Sequence, residues 1–198
     1  MNKLKRSFFV DDPTSVAKRL IGCFLIRKTE KGEIRGRITE TEAYGDATDL
    51  ASHARFGLTP RNKIMYGKAG IFYVYHIYGI FYLTNIICGK RGVPGAVLLR
   101  SAEILEGDKL VSENLRKSRF VKDNEMQAVG PGKLSLAFKI EKTQNYLDAI
   151  KNDEIYLQAG DEVAGIIETK RIGIDYAKHC KDLPWRYYEE ASLYINKK

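Results

Sequence analysis

The sequence predicts one mixed α/β domain of the α+β kind, in which short strands and short helices share a single core. The chain has 198 residues, which is about the size of one domain. Hydrophobic residues make up 44% and charged residues 29% of the chain, which excludes disorder, collagen and coiled coil as global descriptions. Because no repeat, low-complexity tract or linker divides the chain, we expect residues 1–198 to form a single compact domain.

Helix and strand patterns alternate in the first third of the chain. Asp12 before Pro13 is typical of a helix start, since the carboxylate can cap the first turn and proline suits its first position. Lys31-Gly32 is typical of a turn between two strands. The predicted elements here are a helix ending near residue 20, strands at 23–27 and 34–44, and short helices at 46–53 and from Thr59-Pro60 onward.

The segment 70–89 (GIFYVYHIYGIFYLTNIICG) carries no Asp, Glu, Lys or Arg and is long enough to span a bilayer as a helix. Its aromatic and β-branched residues favour strands instead. Tyr78-Gly79 in its middle is typical of a turn. We therefore predict a hairpin of two core strands over 71–88, with a transmembrane helix as the alternative.

Shorter and weaker patterns follow in the second half. Arg100 interrupts an otherwise apolar strand pattern at 96–102, and 108–119 has the pattern of a basic amphipathic helix. The glycine-rich run 130–133 is typical of a turn. The remaining predictions are a short helix at 134–138, weak strands near 155–157, 163–167 and 171–174, and a packed segment around Trp185.

Charge and motif content restrict the function classes. The chain has 33 Lys and Arg against 25 Asp and Glu, and its net charge of +8 favours an acidic partner such as nucleic acid or anionic lipid; a merely basic surface is the alternative. There is no CxxC or HxxxH spacing, so we expect a reducing compartment and neither a disulfide framework nor a zinc enzyme. Walker-A spacing and a G-x-S-x-G motif are also absent. The cysteines and histidines concerned are Cys23, Cys88, Cys180, His53, His76 and His179.

The strand that ends in ETEAY places polar side chains on one face. By the two-residue period of a strand, Ile38, Glu40, Glu42 and Tyr44 lie on the same side. A solvated face is one explanation. An enclosed site is the other, because Arg100 interrupts an apolar strand and a buried arginine needs a carboxylate partner. A carboxylate beside an arginine stays ionised, and it can take a proton from water or stabilise a developing cation.

The predicted hairpin carries a second group of polar and aromatic residues. Tyr73 and Tyr75 face one side of its first strand, and His76 and Tyr78 lie off that face. In a basic protein such faces can stack bases, although a core built with tyrosines is the alternative. Asn85 offers a donor and an acceptor, as reading a base edge requires, but a satisfied core amide is the more common explanation for a lone Asn.

Two weaker features precede the hairpin. The segment TPRN (59–62) joins a helix start to a cation, which suits a phosphate, and a plain helix cap fits the same pattern. A lone histidine such as His53 is most often structural. Neither feature alone predicts a function.

Taken together, these residues resemble the alkyladenine (3-methyladenine) DNA glycosylase family in a short bacterial form. The resemblance runs in order along nearly the whole chain and is densest over 38–103. One departure is His76, which stands where the family carries an apolar residue. The shared motifs are ETEAY (40–44), ASHAR (51–55), TPRN (59–62), YVYHIYGIFYLTN (73–85), VLLRSAE (97–103), GPGKL (130–134), RIGI (171–174) and PW (184–185).

The resemblance implies both a fold and an activity. The fold is a single compact domain with a curved antiparallel sheet and flanking helices, with no metal and no cofactor. The enzyme flips an alkylated purine out of double-stranded DNA and hydrolyses its N-glycosidic bond as a monofunctional glycosylase. Expected substrates are 3-methyladenine and 7-methylguanine, with hypoxanthine and ethenoadenine as further candidates. It implies a cytoplasmic monomer that reaches the nucleoid through DNA and has no membrane partner.

The resemblance also implies roles for the residues closest to the chemistry. By motif match, Glu42 is the carboxylate that activates water, and Arg100 helps to hold that water or carboxylate. Tyr44 and His53 are expected on one face of the flipped base and Tyr75 on the other.

Further roles concern specificity and DNA contact. Asn85 is expected where a guanine amino group must be screened, and Tyr78 at the hairpin tip is expected to wedge into the duplex. Weaker candidates for contact with the DNA backbone are Arg61, Asn62, Met65 and Lys133.

Two other functions remain open from the residues alone. A non-catalytic nucleic-acid-binding domain could use the same basic and aromatic surface, and it needs no ionised carboxylate at an aromatic pocket. A different hydrolase could use Glu40 and Glu42 as an acid/base pair on a nucleoside or sugar. That enzyme would need neither the net charge of +8 nor a wedge at a hairpin tip.

Overall fold

The computed structural model describes residues 2–122 and 127–197. A long central strand has antiparallel partners on both sides, and all described strands belong to a single curved sheet. The strands are β1 (Phe24–Thr29), β2 (Gly32–Tyr44), β3 (Phe72–Ile77), β4 (Phe81–Ile87), β5 (Ala96–Glu106), β6 (Ile155–Gln158), β7 (Ile166–Thr169) and β8 (Arg186–Glu189). The described α-helices are α1 (Pro13–Leu20), α2 (Asp108–Arg116) and α3 (Pro131–Ala137).

The strand order shows how the sheet is wound. It runs β3-β4-β5-β2-β1-β6, and β8 joins the second half of β2 on the edge that β1 leaves free. β7 extends the sheet beyond β8. The end of β2 therefore lies between β5 and a strand from the C-terminal part of the chain, in a curled half-barrel of a single mixed α/β domain.

α1 forms where its capping residues predict it. The Asp12 carboxylate accepts hydrogen bonds from the backbone nitrogens of Thr14 (3.0 Å) and Ser15 (3.1 Å), which would otherwise have no partner in the first turn. Burial would raise the pKa of Asp12, but hydrogen bonds from the hydroxyls and backbone nitrogens of Ser15 and Thr14 outweigh burial and lower the pKa to about 2. The apolar face of α1, which includes Val16 and Leu20, packs into the main core.

The alternation along β2 differs from the sequence prediction at Ile38. A register shift against β5 falls between Ile38 and Glu40, so the two side chains do not share a face. Ile38 packs in the hydrophobic core, as Ala43 does. Glu40 instead pairs with Arg100, on the face that carries Glu42. The expectation that Ile38 shares the polar face was wrong because the irregularity breaks the two-residue period.

The aromatic hairpin forms as predicted, from β3 and β4. Its tip is the turn Tyr78-Gly79-Ile80, in which Tyr78 and Gly79 adopt φ values of +54° and +68°. Positive φ is sterically unfavourable for tyrosine and readily adopted by glycine. Two such residues in succession define a tight turn at the tip. Within 2–122 and 127–197, no helix is both long enough and apolar enough to cross a membrane.

Several local predictions need correction. Residues 46–52 form turns instead of a helix, because the Asp46 side chain accepts from the Thr48 backbone and competes with helix formation. Residues 171–174 are not a strand. The helix predicted at 108–119 ends at Arg116, and the TPRN segment is a turn that leads into a 3-10 helix at Lys63–Tyr66.

Candidate active site

Glu42 lies at the end of β2 with its carboxylate buried and held by two hydrogen bonds and one ion pair. Its Oε1 lies 3.0 Å from Arg100 Nη1 and accepts the backbone N–H of Ile172 at 2.8 Å. Its Oε2 accepts the hydroxyl of Tyr44 at 2.8 Å. A carboxylate offers about four acceptor positions. Among the described residues Tyr44 alone donates to Oε2, so this oxygen can accept a further donor such as water.

Glu40, two residues earlier, is also buried but is fully occupied. Burial would raise the pKa of Glu40, but the neighbouring charges and hydrogen bonds outweigh burial and lower it. With four donors bound, Glu40 has no acceptor position left. Of the two carboxylates, Glu42 is therefore the one that can bind a water. The donors to Glu40 are Arg100 Nε (2.7 Å) and Arg186 Nε (2.6 Å) on Oε1, and Ser101 Oγ (2.7 Å) and Asn196 N (2.9 Å) on Oε2.

An aromatic cleft lies next to this carboxylate. Tyr44 belongs to both, because its ring lines the cleft and its hydroxyl is bonded to Glu42. The structure brings together all of the residues predicted for the base pocket. The cleft is lined by Tyr44, Ala51, His53, Met65, Tyr73, Tyr75, Asn85 and Ala96.

The rings of the cleft touch one another. His53 and Tyr75 meet edge to face with centroids 4.7 Å apart, and Tyr73 lies 5.2 Å from Tyr75. His53 Nδ1 is 2.9 Å from the Tyr73 hydroxyl. A flat base stacked between two rings needs about 7 Å between them, twice a van der Waals contact. A base can therefore lie between His53 and Tyr75 only after one ring moves.

The protonation states of these rings follow from burial and charge. Burial, together with the charges of Arg61 and Arg55, lowers the pKa of His53 to about 4, so its ring is neutral at pH 7. Burial also raises the pKa of the Tyr44 hydroxyl, with a further contribution from Glu42. Tyr44 therefore remains a hydrogen-bond donor, and His53 places no positive charge in the cleft.

Asn85 is fixed in the wall of the cleft. It lies on β4 directly opposite Tyr73 and is buried. Its Nδ2 donates to the backbone oxygen of Tyr73 at 3.2 Å, which orients the amide. A fixed amide in the wall can discriminate among the edges of a base.

The segment that begins at Arg171, which the residue pattern marked only as a weak strand, supports the site. Arg171 makes a buried two-pronged ion pair with Asp49, at 2.6 and 2.8 Å. Its guanidinium also lies 4.9 Å from the centre of the Tyr44 ring and 5.0 Å from that of Trp185. This anchor places the next residue, Ile172, with its N–H on Glu42. A backbone donor leaves no mark in a sequence, so Ile172 could not be found there.

Two of the predicted DNA-contact residues are exposed. Tyr78 at the hairpin tip is 84% exposed. Arg61 is exposed, with its guanidinium 5.3 Å from the centre of the Tyr75 ring. Lys133 lies half-buried in the first turn of α3.

The side chains of Asn62 and Met65 do not face solvent. Asn62 is buried, and its Nδ2 donates to the backbone oxygens of His53 (2.9 Å) and Gly57 (2.7 Å). Met65 is buried against the cleft. Both side chains shape the loop under the pocket, and contact of these two residues with a DNA backbone stays a prediction.

No group of three or more His, Cys, Asp or Glu side chains among the described residues is placed to hold a metal ion. The three cysteines are buried and unpaired.

The chain is similar over nearly its whole length to proteins of one known family. The family model for methylpurine-DNA glycosylase matches residues 7–193. Proteins named as 3-methyladenine DNA glycosylases from Desulfitobacterium hafniense (39% identical, all of both chains), Methanocella arvoryzae (41%, all of this chain and 98% of the relative) and Clostridium novyi (41%, all of both chains) are similar over their length. The resemblance seen in the sequence motifs is thereby confirmed, and the chain belongs to the methylpurine-DNA glycosylase family.

Proposed function

We propose that this chain is a monofunctional DNA glycosylase that flips an alkylated purine out of duplex DNA and hydrolyses its N-glycosidic bond with a Glu42-activated water. One observation carries the proposal. Within the part of the chain that the structure describes, Glu42 Oε2 accepts only the Tyr44 hydroxyl and so can accept a water, and Tyr44 joins this carboxylate to an aromatic cleft. That arrangement combines a base-binding wall with a carboxylate able to accept a proton.

The chemistry of alkylated purines suits one carboxylate. Alkylation at N3 or N7 makes the base cationic, so it leaves as a neutral base with the electron pair of the C1′–N bond. The sugar then approaches an oxocarbenium ion, which a nearby carboxylate stabilises. Water attacks C1′ and gives its proton to Glu42, so a second acid is not required as it is in ordinary glycoside hydrolysis.

The cleft suits a cationic base. Electron-rich tyrosine faces attract a cation by about 0.5–2 kcal/mol each. Because Arg171 and Arg61 already lie 4.9 and 5.3 Å from the ring centres of Tyr44 and Tyr75, a cationic base has to use the opposite faces of these rings. His53 is neutral at pH 7 and so does not repel it. Because His53 and Tyr75 touch in the free protein, binding must separate them. The expected substrates are 3-methyladenine and 7-methylguanine, with hypoxanthine and ethenoadenine as neutral candidates.

Extrusion of the base needs help from outside the cleft. Unstacking and unpairing cost a few kcal/mol, least where the base is already damaged. We assign Tyr78 as the wedge that fills the gap, because its ring is exposed at the hairpin tip. The net charge of +8 supplies a sequence-independent attraction to phosphates, with Arg61 and Lys133 as candidate contacts. The proposed enzyme acts on double-stranded DNA as a cytoplasmic monomer without a cofactor.

One assay separates this proposal from the other two functions. Methylated duplex DNA and the matching free methylated nucleoside are incubated with the chain, and released base is measured by chromatography. The proposal predicts release from the duplex and not from the nucleoside. Binding without release would indicate a nucleic-acid-binding domain, and release from the nucleoside would indicate a different hydrolase; either result contradicts the proposal.

A further inference from the structure

Glu40 lies beside the proposed reacting carboxylate but cannot itself touch substrate. Its side chain is buried, and four donors occupy both of its oxygens. All four donors, including both guanidiniums, come from parts of the chain at least 60 residues away from Glu40. A buried charge held this firmly either supports the fold alone or fixes a neighbour that takes part in the reaction.

The neighbour is Arg100, which bridges the two carboxylates. Its Nε donates to Glu40 at 2.7 Å, and its Nη1 lies 3.0 Å from Glu42 Oε1. A guanidinium is planar and rigid, so fixing Nε also fixes the direction of Nη1. Glu40 therefore sets the angle from which Arg100 meets Glu42.

A short segment near the C-terminus closes the arrangement around Glu40. Arg186 Nε donates to Glu40 at 2.6 Å, and Arg186 Nη2 donates to the backbone oxygen of Asn196. The N–H of Asn196 returns to Glu40 Oε2 at 2.9 Å, which completes a ring. Thr39 Oγ donates to the backbone oxygen of Tyr194, so the segment is held at a second point.

The charges of this cluster balance. Two buried carboxylates face two buried guanidiniums, those of Arg100 and Arg186. Loss of the charge on Glu40 would leave both arginines to compete for Glu42, and an uncompensated buried charge moves or draws in water. Arg100 would then no longer hold Glu42 in one place.

We infer that Glu40 is a positioning residue for the glycosidic reaction, that it acts by holding Arg100 against Glu42, and that the backbone N–H of Asn196 completes this support. The inference rests on the proposed function. It assigns to the segment 194–196 a part in catalysis that is distinct from folding.

A double-mutant cycle tests the route through Arg100. Glu40→Gln is made in the wild-type chain and in Arg100→Lys, whose single ammonium cannot bridge two carboxylates as a fork does. Single-turnover excision is measured with saturating enzyme, so the rate does not depend on the folded fraction. We expect Glu40→Gln to slow excision roughly 100-fold in the wild type and less than about threefold in Arg100→Lys, with unchanged affinity for lesion DNA. An equal loss in both backgrounds, or no loss in either, would overturn the inference.

A second pair of variants isolates the N–H of Asn196. Asn196→Pro and Asn196→Ala both remove the side chain, but only proline removes the backbone donor to Glu40. We expect Asn196→Pro to cut about tenfold more slowly than Asn196→Ala, since a hydrogen bond to a charged group is lost. Equal single-turnover rates would contradict the part assigned to this N–H.

A third readout does not need catalysis. Exchange of the Arg100 Nε–H with solvent is followed by NMR of arginine-labelled protein. It should be slow in the wild type, because that hydrogen is buried and bonded, and at least tenfold faster in Glu40→Gln. Unchanged slow exchange in Glu40→Gln would overturn the inference. Failure of the proposed function would show separately, as absence of base release by the wild-type chain.

Discussion

The hydroxyl of Tyr44 donates a 2.8 Å hydrogen bond to Glu42 Oε2, which joins the wall of the aromatic cleft to the buried carboxylate. Both residues belong to β2, two positions apart, so the strand itself fixes their spacing. Burial raises the pKa of the Tyr44 hydroxyl, which keeps the proton on the donor. A base stacked against Tyr44 is thereby placed in a fixed relation to Glu42.

Asn85 should control discrimination between adenine-derived and guanine-derived lesions. Its amide is fixed by the backbone of Tyr73 and lines the cleft, where it can crowd the exocyclic amino group that guanine has and adenine lacks. We expect Asn85→Ser to raise the excision rate of 7-methylguanine relative to that of 3-methyladenine. The discrimination that the amide supplies, and that the variant loses, is about 1–3 kcal/mol. The ratio of the two single-turnover rates checks this. If that ratio stays at its wild-type value, Asn85 is only a satisfied core amide.

Tyr78 should matter for flipping and not for stability. Its ring is 84% exposed, so Tyr78→Ser removes little buried area. We expect weaker binding to lesion DNA and slower excision, because the wedge offsets an unstacking cost of a few kcal/mol. The melting temperature should barely change.

The same substitution at a buried tyrosine is the matched control for Tyr78. Tyr187 is only 1% exposed, so Tyr187→Ser should melt well below the wild type. Thermal melting and excision are measured on the same preparations. A Tyr78→Ser protein that melts several degrees lower and excises normally per folded molecule would show a packing role instead of a wedge.

Base release should occur without strand cleavage. No lysine lies in β2, β3, β4 or β5, and no lysine lines the cleft. Water is therefore the expected nucleophile, and no Schiff base should form with the sugar. Borohydride added during the reaction checks this on a denaturing gel. A trapped covalent complex between protein and DNA would show a lysine nucleophile.

His53 should make stability fall as the pH is lowered. Its folded pKa is about 4 against an ordinary value of 6.5, so between these values the unfolded chain binds a proton that the folded chain does not. This costs stability progressively from pH 6.5 down to about 4 and contributes nothing above pH 6.5. His53→Gln should therefore lose less stability than the wild type between pH 7 and pH 5.

Urea unfolding at those two pH values measures the His53 effect. The other titrating groups are the same in both proteins, so their contributions to the pH dependence of stability cancel in the comparison with the wild type. Parallel losses in wild type and His53→Gln would show that the His53 ring titrates alike in folded and unfolded chains.

Local chemistry explains which parts of the fold could be predicted. Asp12 and Pro13 mark the start of α1, and Tyr78-Gly79 marks the turn of the hairpin, because each acts through its own backbone. Elements that depend on pairing between distant parts of the chain were harder to predict from the sequence. β8 was predicted only as a packed segment around Trp185, although it adds a strand beside Glu42.

The residues of the candidate site differ in the same way: some could be predicted from the sequence and others could not. Arg100 could be found because a cation in an apolar strand demands a partner, and that partner proved to be both Glu40 and Glu42. The irregularity that separates Ile38 from Glu40 depends on pairing with β5, so period-two reasoning missed it. The backbone donors of Ile172 and Asn196 carry no residue-type signature.

Single-turnover excision by Glu42→Gln tests the central claim most directly. The substitution keeps the shape of the side chain but removes its ability to accept a proton from water. Duplex DNA containing 3-methyladenine is mixed with saturating protein, and base release is timed beside a binding measurement on the same duplex. We expect the rate to fall roughly 10²–10⁴-fold with lesion binding largely intact. A Glu42→Gln protein that releases the base as fast as the wild type would contradict the account.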